Sequence, residues 1–128
     1  MARILVVDDQ KDVRAMIAIV LRVNHFEVME AGSAAAGLQA FAGESFDLAI
    51  VDIFLEDGSG VDVIAAMRER APDLPVVAMS GMTALDFVSE GADMTNVACL
   101  QKPFRPNDLM RAIQAAFGSV RKPADSVA

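Results

Sequence analysis

The sequence predicts an α/β domain, a five-stranded, doubly wound parallel sheet sandwiched between two helical layers. Three observations predict it. Short runs rich in β-branched and other apolar residues alternate with longer segments of helical period, which implies βαβ units. Three of those runs, Ile4–Val7, Leu48–Val51 and Val76–Met79, are almost continuously apolar, as strands covered on both faces are. A chain of 128 residues, 54 % of them hydrophobic, suffices for one domain with a substantial core and is too apolar for a disordered one.

Each element has its own signal. The strands are Ile4–Val7, Phe26–Glu30, Leu48–Val51, Val76–Met79 and Val97–Leu100. Val13, Met16, Ile17, Val20 and Leu21 recur at i, i+3, i+4, i+7 and i+8 and form one apolar stripe of a first helix. Ser33 suits the N-cap of a second helix carrying Leu38 and Phe41. A third helix carries Val61, Ile64 and Ala65, and Ala71-Pro72 bounds it, because a residue before proline avoids helical geometry. The last helix opens at Pro106, presents Leu109, Ile113 and Phe117, and stops near Gly118. Between Ala84 and Asn96 one short helix ending at Gly91 is expected. The domain is expected to span residues 1–120, with 121–128 as a flexible polar tail.

Composition excludes several classes of function. Eleven Lys and Arg against 18 Asp and Glu leave a net charge of −7, which disfavours nucleic acid and anionic membrane surfaces. No apolar segment approaches the roughly 20 residues of a membrane span. "MARILVVDDQ" meets acid too soon for a secretory signal, and the single Cys99 allows no internal disulfide. A soluble, cytoplasmic protein is expected.

The chemistry lies where the apolar runs stop. The first ends at Asp8-Asp9, the third at Asp52, the fourth at Ser80 and the fifth at Lys102. In open α/β sheets ligands bind outside the carboxyl ends of the strands, so a parallel sheet would bring these groups to one edge. Two carboxylates about 4 Å apart repel by roughly 4 kcal/mol at an effective dielectric of about 20. A divalent cation offsets that repulsion, and Mg²⁺ takes hard oxygen ligands. With Lys102 as a second positive charge and Ser80 as a hydroxyl donor, the parts suit phosphoryl transfer, with Asp52 as nucleophile.

In the order "ILVVDDQ", "DLAIVDIFLEDGSG", "VVAMSG" and "LQKPF", these pieces resemble the receiver domain of bacterial two-component response regulators over about residues 3–118. Each piece alone is weak, whereas all four at strand ends of one short chain are specific. The resemblance implies a flavodoxin-like fold and a set of roles. Asp52 is the phosphoacceptor. Asp9 is a direct ligand of Mg²⁺ or Mn²⁺, Asp8 acts through metal-bound water, and Phe54 offers a backbone carbonyl. Ser80 takes the hydroxyl position, Lys102 the lysine position, and Lys102-Pro103 the cis peptide. The implied partners are a sensor histidine kinase or histidine phosphotransfer protein as donor and a downstream protein as target. The implied assembly is a monomer or weak homodimer. Such a protein catalyses only its own phosphorylation and dephosphorylation, and is otherwise no enzyme. Output would be protein contact or onward phosphotransfer, unless "SVRKPADSVA" begins a linker to a further domain.

The chain departs from the family pattern in places. Cys99 stands where an aromatic residue usually serves as a switch, and Leu55-Glu56 replaces the usual Met-Pro. Gly91 lies farther from the lysine than usual. Bulky Phe54 and Met82 occupy positions that modulate attack of water, which implies a long-lived phosphoform. Blander roles exist for several residues: Asp8 and Asp9 as acids favoured at a helix start, Ser80 as a turn residue, Lys102 as a surface lysine, Cys99 as a small buried apolar residue and His25 as a solvent-facing linker. The alternative function is a degenerate receiver that docks partners without phosphorylation. An aspartyl-phosphate hydrolase would carry D-x-D after the first strand, and a flavin protein a Gly/Thr-rich loop there; "VVDDQKD" is neither.

Overall fold

The computed structural model describes residues 2–81 and 97–125. The described elements, in order, are β1 (Arg3–Val7), α1 (Lys11–Val23), β2 (Glu27–Ala31), α2 (Ala34–Gly43), β3 (Leu48–Asp52), β4 (Phe54–Leu55), β5 (Gly58–Ser59), α3 (Gly60–Arg70), β6 (Val76–Ser80), β7 (Val97–Gln101) and α4 (Pro106–Asp125). Five strands form one sheet in the order β2-β1-β3-β6-β7, every pair parallel. β4 and β5 form a separate antiparallel ribbon, which the strand patterns did not anticipate. The chain winds outward from β1 to β2, then crosses to β3 and onward to β6 and β7. The winding reverses between β1 and β3, and their carboxyl ends open on the topological switch point.

Continuous apolar runs are explained by two cores, one on each face. Leu5 and Val7 of β1, Ala49 and Val51 of β3, and Val76 and Ala78 of β6 pack with Phe41, Ile64 and Met67 of α2 and α3. Their neighbours Ile4, Val6, Leu48, Ile50, Val77 and Met79 pack with Ile17 and Leu21 of α1 and Leu109 and Ile113 of α4. Since side chains alternate across a strand, the apolar positions of these strands meet apolar surface on both faces of the sheet.

Helix ends follow local chemistry. Ser33 Oγ accepts from Ala36 N–H at 3.0 Å, the expected cap of α2. α3 closes at Arg70, with Ala71 as C-cap before Pro72. At α4 the Arg105 N–H donates to the Asp108 carboxylate at 3.0 Å, the reach-back half of a capping box. α1 ends in a Schellman motif: His25 N–H donates to Arg22 O and Phe26 N–H to Leu21 O, both at 3.0 Å. His25 is exposed, as expected, but does more than link, since it holds the left-handed position at φ 69°.

Four expectations are corrected. α4 continues through Gly118 to Asp125, because a glycine inside a helix weakens it by only about 1 kcal/mol against alanine. Leu38 is exposed, and α2 instead buries Ala34, Gly37 and Phe41 against the sheet. Ala65 is exposed, while Val63 and Met67 join Val61 and Ile64 on the buried face of α3. β2 lies one residue later than expected, because Phe26 belongs to the Schellman turn. The expected helix between Ala84 and Asn96, with Gly91 and Met82, lies outside the described residues.

Candidate functional site

All the strand-end groups gather at the carboxyl edge of the sheet. Asp8 follows β1 and is fully buried, Asp52 closes β3, and Ser80 closes β6, both buried. Lys102 follows β7, where its N–H donates to the Ser80 carbonyl at 2.7 Å, so the lysine leaves the sheet beside the serine. Its side chain then reaches back across two strands. Lys102 Nζ lies 2.8 Å from Asp52 Oδ2 and 3.0 Å from Asp8 Oδ2. It also donates to Gln10 Oε1 at 2.8 Å. Asp52 and Gln10 thus accept two of the ammonium's three protons, and Asp8 is held beside it as an ion pair.

Backbone amides orient the acids. Gln10 N–H donates to Asp8 Oδ1 at 2.8 Å, Phe54 N–H to Asp52 Oδ1 at 3.0 Å, and Glu56 N–H to Asp9 Oδ2 at 2.9 Å. Arg14 Nη1 donates to the Asp8 carbonyl at 2.7 Å, and its Nε pairs with Glu30 at 3.2 Å, which ties the site to the start of α1 and to β2. Burial, above all, holds the Asp52 carboxyl above its ordinary range, with the Asp8 charge adding to it. The bonds from Lys102 and Phe54 oppose that rise without cancelling it. Burial alone would depress the Lys102 ammonium, but its bonds to Asp52 and Asp8 outweigh that and raise it.

The donor set fits a divalent cation. Asp8, Asp9 and Asp52 each bring a carboxylate oxygen to within 4.8 Å of the others. Although Asp8 Oδ2 faces the ammonium as an ion pair, it accepts no well-directed hydrogen bond, and it is buried. A divalent cation would give that buried oxygen a directed partner besides the ion pair. Oxygen ligands alone suit Mg²⁺ or Mn²⁺ rather than zinc or copper.

The remaining expected residues fall around this centre. Phe54 stands two residues after Asp52 and is 49 % exposed. The Lys102-Pro103 bond is cis. Cys99 is exposed on the edge strand β7 and not the small buried residue expected; it lies beside a shallow groove with Phe104, Asp108 and Arg111, and partial burial of its thiol pushes its pKa up, away from reactive thiolate. Sequence reading passed over Gln10 and Asp57, and noticed Glu56 only as a departure from the family pattern. Gln10 is a poor cap type standing at the N-cap of α1, and its side chain serves Lys102 instead. Glu56 acts through its backbone. Asp57, beside it, accepts from Ala34 N–H at 2.8 Å and Ala35 N–H at 3.1 Å, which joins the loop after β3 to the start of α2.

Fold and site together define a doubly wound α/β domain with an acid–lysine cluster at its topological switch. Residues 4–114 match the response regulator receiver domain family, and the chain belongs to it. It is 32 % identical over 124 residues to the DNA-binding transcriptional regulator NtrC of Azospirillum brasilense, covering 96 % of this chain and 26 % of that one. With the photosynthetic apparatus regulatory protein RegA of Rhodobacter capsulatus it shares 28 % over 123 residues, 96 % of this chain and 67 % of RegA. The chain thus spans between about a quarter and two thirds of these regulators. Among solved structures, a CheY-like receiver domain protein of Methanospirillum hungatei JF-1 superposes with a TM-score of 0.82 at 28 % identity, over 96 % of this chain and 98 % of that one. The response regulator TrrA of Thermotoga maritima, solved in complex with Mg²⁺-BeF, gives 0.78 at 26 % identity, over 91 % of this chain and 99 % of that one.

Proposed function

We propose that this chain is a Mg²⁺-dependent phosphoacceptor in a histidine-to-aspartate relay, taking the phosphoryl group on Asp52. The observation that carries the reading is the Lys102 ammonium within 3.0 Å of both the Asp8 and Asp52 carboxylates, with Asp9 bringing a third carboxylate oxygen within 4.8 Å of theirs. The Mg²⁺-BeF complex of the structurally similar TrrA supports it.

Asp8, Asp9, Asp52 and the Phe54 carbonyl would hold the metal. When bound, it supplies positive charge against the equatorial phosphoryl oxygens. Phe54 N–H and Lys102 fix the Asp52 carboxylate, so that an oxygen is presented to the donor without rotation. That oxygen bonds to phosphorus as the P–N bond of a phosphohistidine breaks. The imidazole nitrogen keeps the bonding pair and takes a proton. The Lys102 ammonium exchanges a carboxylate partner for a phosphoryl oxygen, and the Ser80 hydroxyl donates to another. The partners are a histidine kinase or phosphotransfer protein and a downstream protein target, and the setting is the cytoplasm.

Intact mass after incubation with acetyl phosphate, with and without Mg²⁺, tests the reading. One phosphoryl group gained with Mg²⁺ in the wild type and none in Asp52→Asn is the expected result. No gain by the folded wild type, even with candidate phosphohistidine donors, would favour a docking module that works without phosphorylation.

A further inference from the structure

The β4–β5 ribbon pairs Phe54 with Ser59 and Leu55 with Gly58, which leaves Glu56 and Asp57 as its two turn residues. Glu56 N–H therefore stands outside the ribbon's own ladder. It donates to Asp9 Oδ2 at 2.9 Å, across 47 residues of sequence. Asp9 itself is only partly buried and follows the end of β1, and its carboxylate is tied by this N–H to the turn after β3.

We propose that the Glu56 backbone N–H is a positioning group that holds the Asp9 carboxylate at the acid cluster and thereby raises the affinity of this chain for a divalent cation. The inference rests on the metal reading given above. A carboxylate offers about four acceptor positions, so one N–H leaves room for a cation on the same group. The bond orients the ligand and does not compete with the ion. Losing such an outer hydrogen bond typically weakens metal binding by about 10- to 100-fold. The donor is the main chain and not the side chain, which makes proline the informative substitution. Leu55 lies in an extended strand, the geometry that a following proline favours, and Glu56 does not have a positive φ. The exposed Glu56 carboxylate acts on the site only through a screened charge.

Mg²⁺ titration followed in amide proton–nitrogen NMR spectra separates the two contributions. Glu56→Pro should raise the Kd for Mg²⁺ about tenfold. Glu56→Ala, which keeps the N–H and removes the charge, should stay within about twofold of wild type. Unchanged or tighter binding by Glu56→Pro, or equal loss in both variants, would overturn the inference. A second measurement requires no proline. In metal-free Asp9→Ala the Glu56 amide loses its acceptor, and its hydrogen exchange should speed up about tenfold; unchanged protection would overturn the contact itself. A wild-type chain that binds no Mg²⁺ would overturn the metal reading as well, whereas normal wild-type binding with an indifferent Glu56→Pro would overturn this inference alone.

Discussion

A Cβ placed on Gly60 would stand 2.7 Å from the carbonyl carbon of Asp52 and 2.7 Å from Ile53 Cα, and closer still to the Asp52 carbonyl oxygen. The obstacle is main chain, which cannot rotate aside as a flexible side chain would. Gly60 N–H also donates to Ile53 O at 2.7 Å, which seats the start of α3 directly on the segment that carries Asp52. Glycine at 60 is thus a condition for the position of the acceptor.

Gly60→Ala should therefore destabilise the fold by at least about 2 kcal/mol, as overpacking against rigid surroundings does. Urea unfolding reads this directly. Acetyl phosphate labelling of the folded fraction should fall with it, since Asp52 must shift for the methyl group to enter. Gly58→Ala is the control: a Cβ there would meet only Ala34 Cβ, at an ordinary 3.7 Å.

Asp57 predicts a pH dependence. Its bonds from Ala34 and Ala35 N–H at the start of α2 hold its carboxyl below the usual range. A group depressed in the folded state contributes stability above its unfolded pKa and loses it as pH falls through the folded one. Asp57→Ala should melt below wild type at neutral pH, and the gap should narrow on the acid limb as wild-type Asp57 protonates. A gap that stays constant through that limb would assign the loss to something other than the charged cap.

His25 is the sole non-glycine residue with positive φ among the described residues, and it occupies the position of a Schellman turn that glycine usually fills. Its side chain is exposed, so the imidazole can go without leaving a cavity. His25→Gly should raise stability by about 0.5–1 kcal/mol, the left-handed penalty less the extra freedom of glycine when unfolded. Chemical denaturation measures it. A destabilised variant would mean that the ring does work its exposure does not suggest.

Phe54, two residues after the acceptor, is a large side chain left half exposed. If Asp52 carries the phosphoryl group, the ring restricts the approach of water, and the phosphoform should outlast a few seconds. Phe54→Ala should shorten its lifetime severalfold while leaving phosphorylation intact. Decay of labelled protein after rapid removal of donor decides it, and a wild-type half-life of seconds would refute the role.

What could be read in the sequence was what repeats or terminates. Continuous apolar runs and period-3.6 stripes located the strands and helices, and four of the five runs ended on residues that gather at the site. Asp8, Asp9, Asp52, Ser80 and Lys102 were legible for that reason. The contacts of Gln10, Glu56 and Asp57 were not, because they join segments far apart in sequence and two of them use backbone N–H groups, which every residue but proline possesses. Gly118 misled because glycine ends helices often, yet its cost inside one is small enough for packing to override. Leu38 misled because α2 lies against the sheet through Ala34, Gly37 and Phe41, which turns position 38 outward.

The electrostatics of the site make one further prediction. Lys102 is a cation held over two buried carboxylates, and Asp8, fully buried, has an oxygen that only ion pairing serves. Removing one member of a buried ion pair costs roughly 3–5 kcal/mol. The Lys102 side chain keeps 18 % exposure, so screening by water places Lys102→Ala nearer about 2–3 kcal/mol in metal-free buffer. Mg²⁺ should then recover part of that loss, because a bound cation supplies the charge the lysine supplied and no longer meets its repulsion. The increment of stability on adding Mg²⁺ should be larger in Lys102→Ala than in the wild type, read from urea unfolding at matched ionic strength with and without the metal. Equal increments would mean that ammonium and metal do not share these carboxylates. A loss of Mg²⁺ response in the variant would mean that the lysine helps to build the metal site rather than to balance its charge.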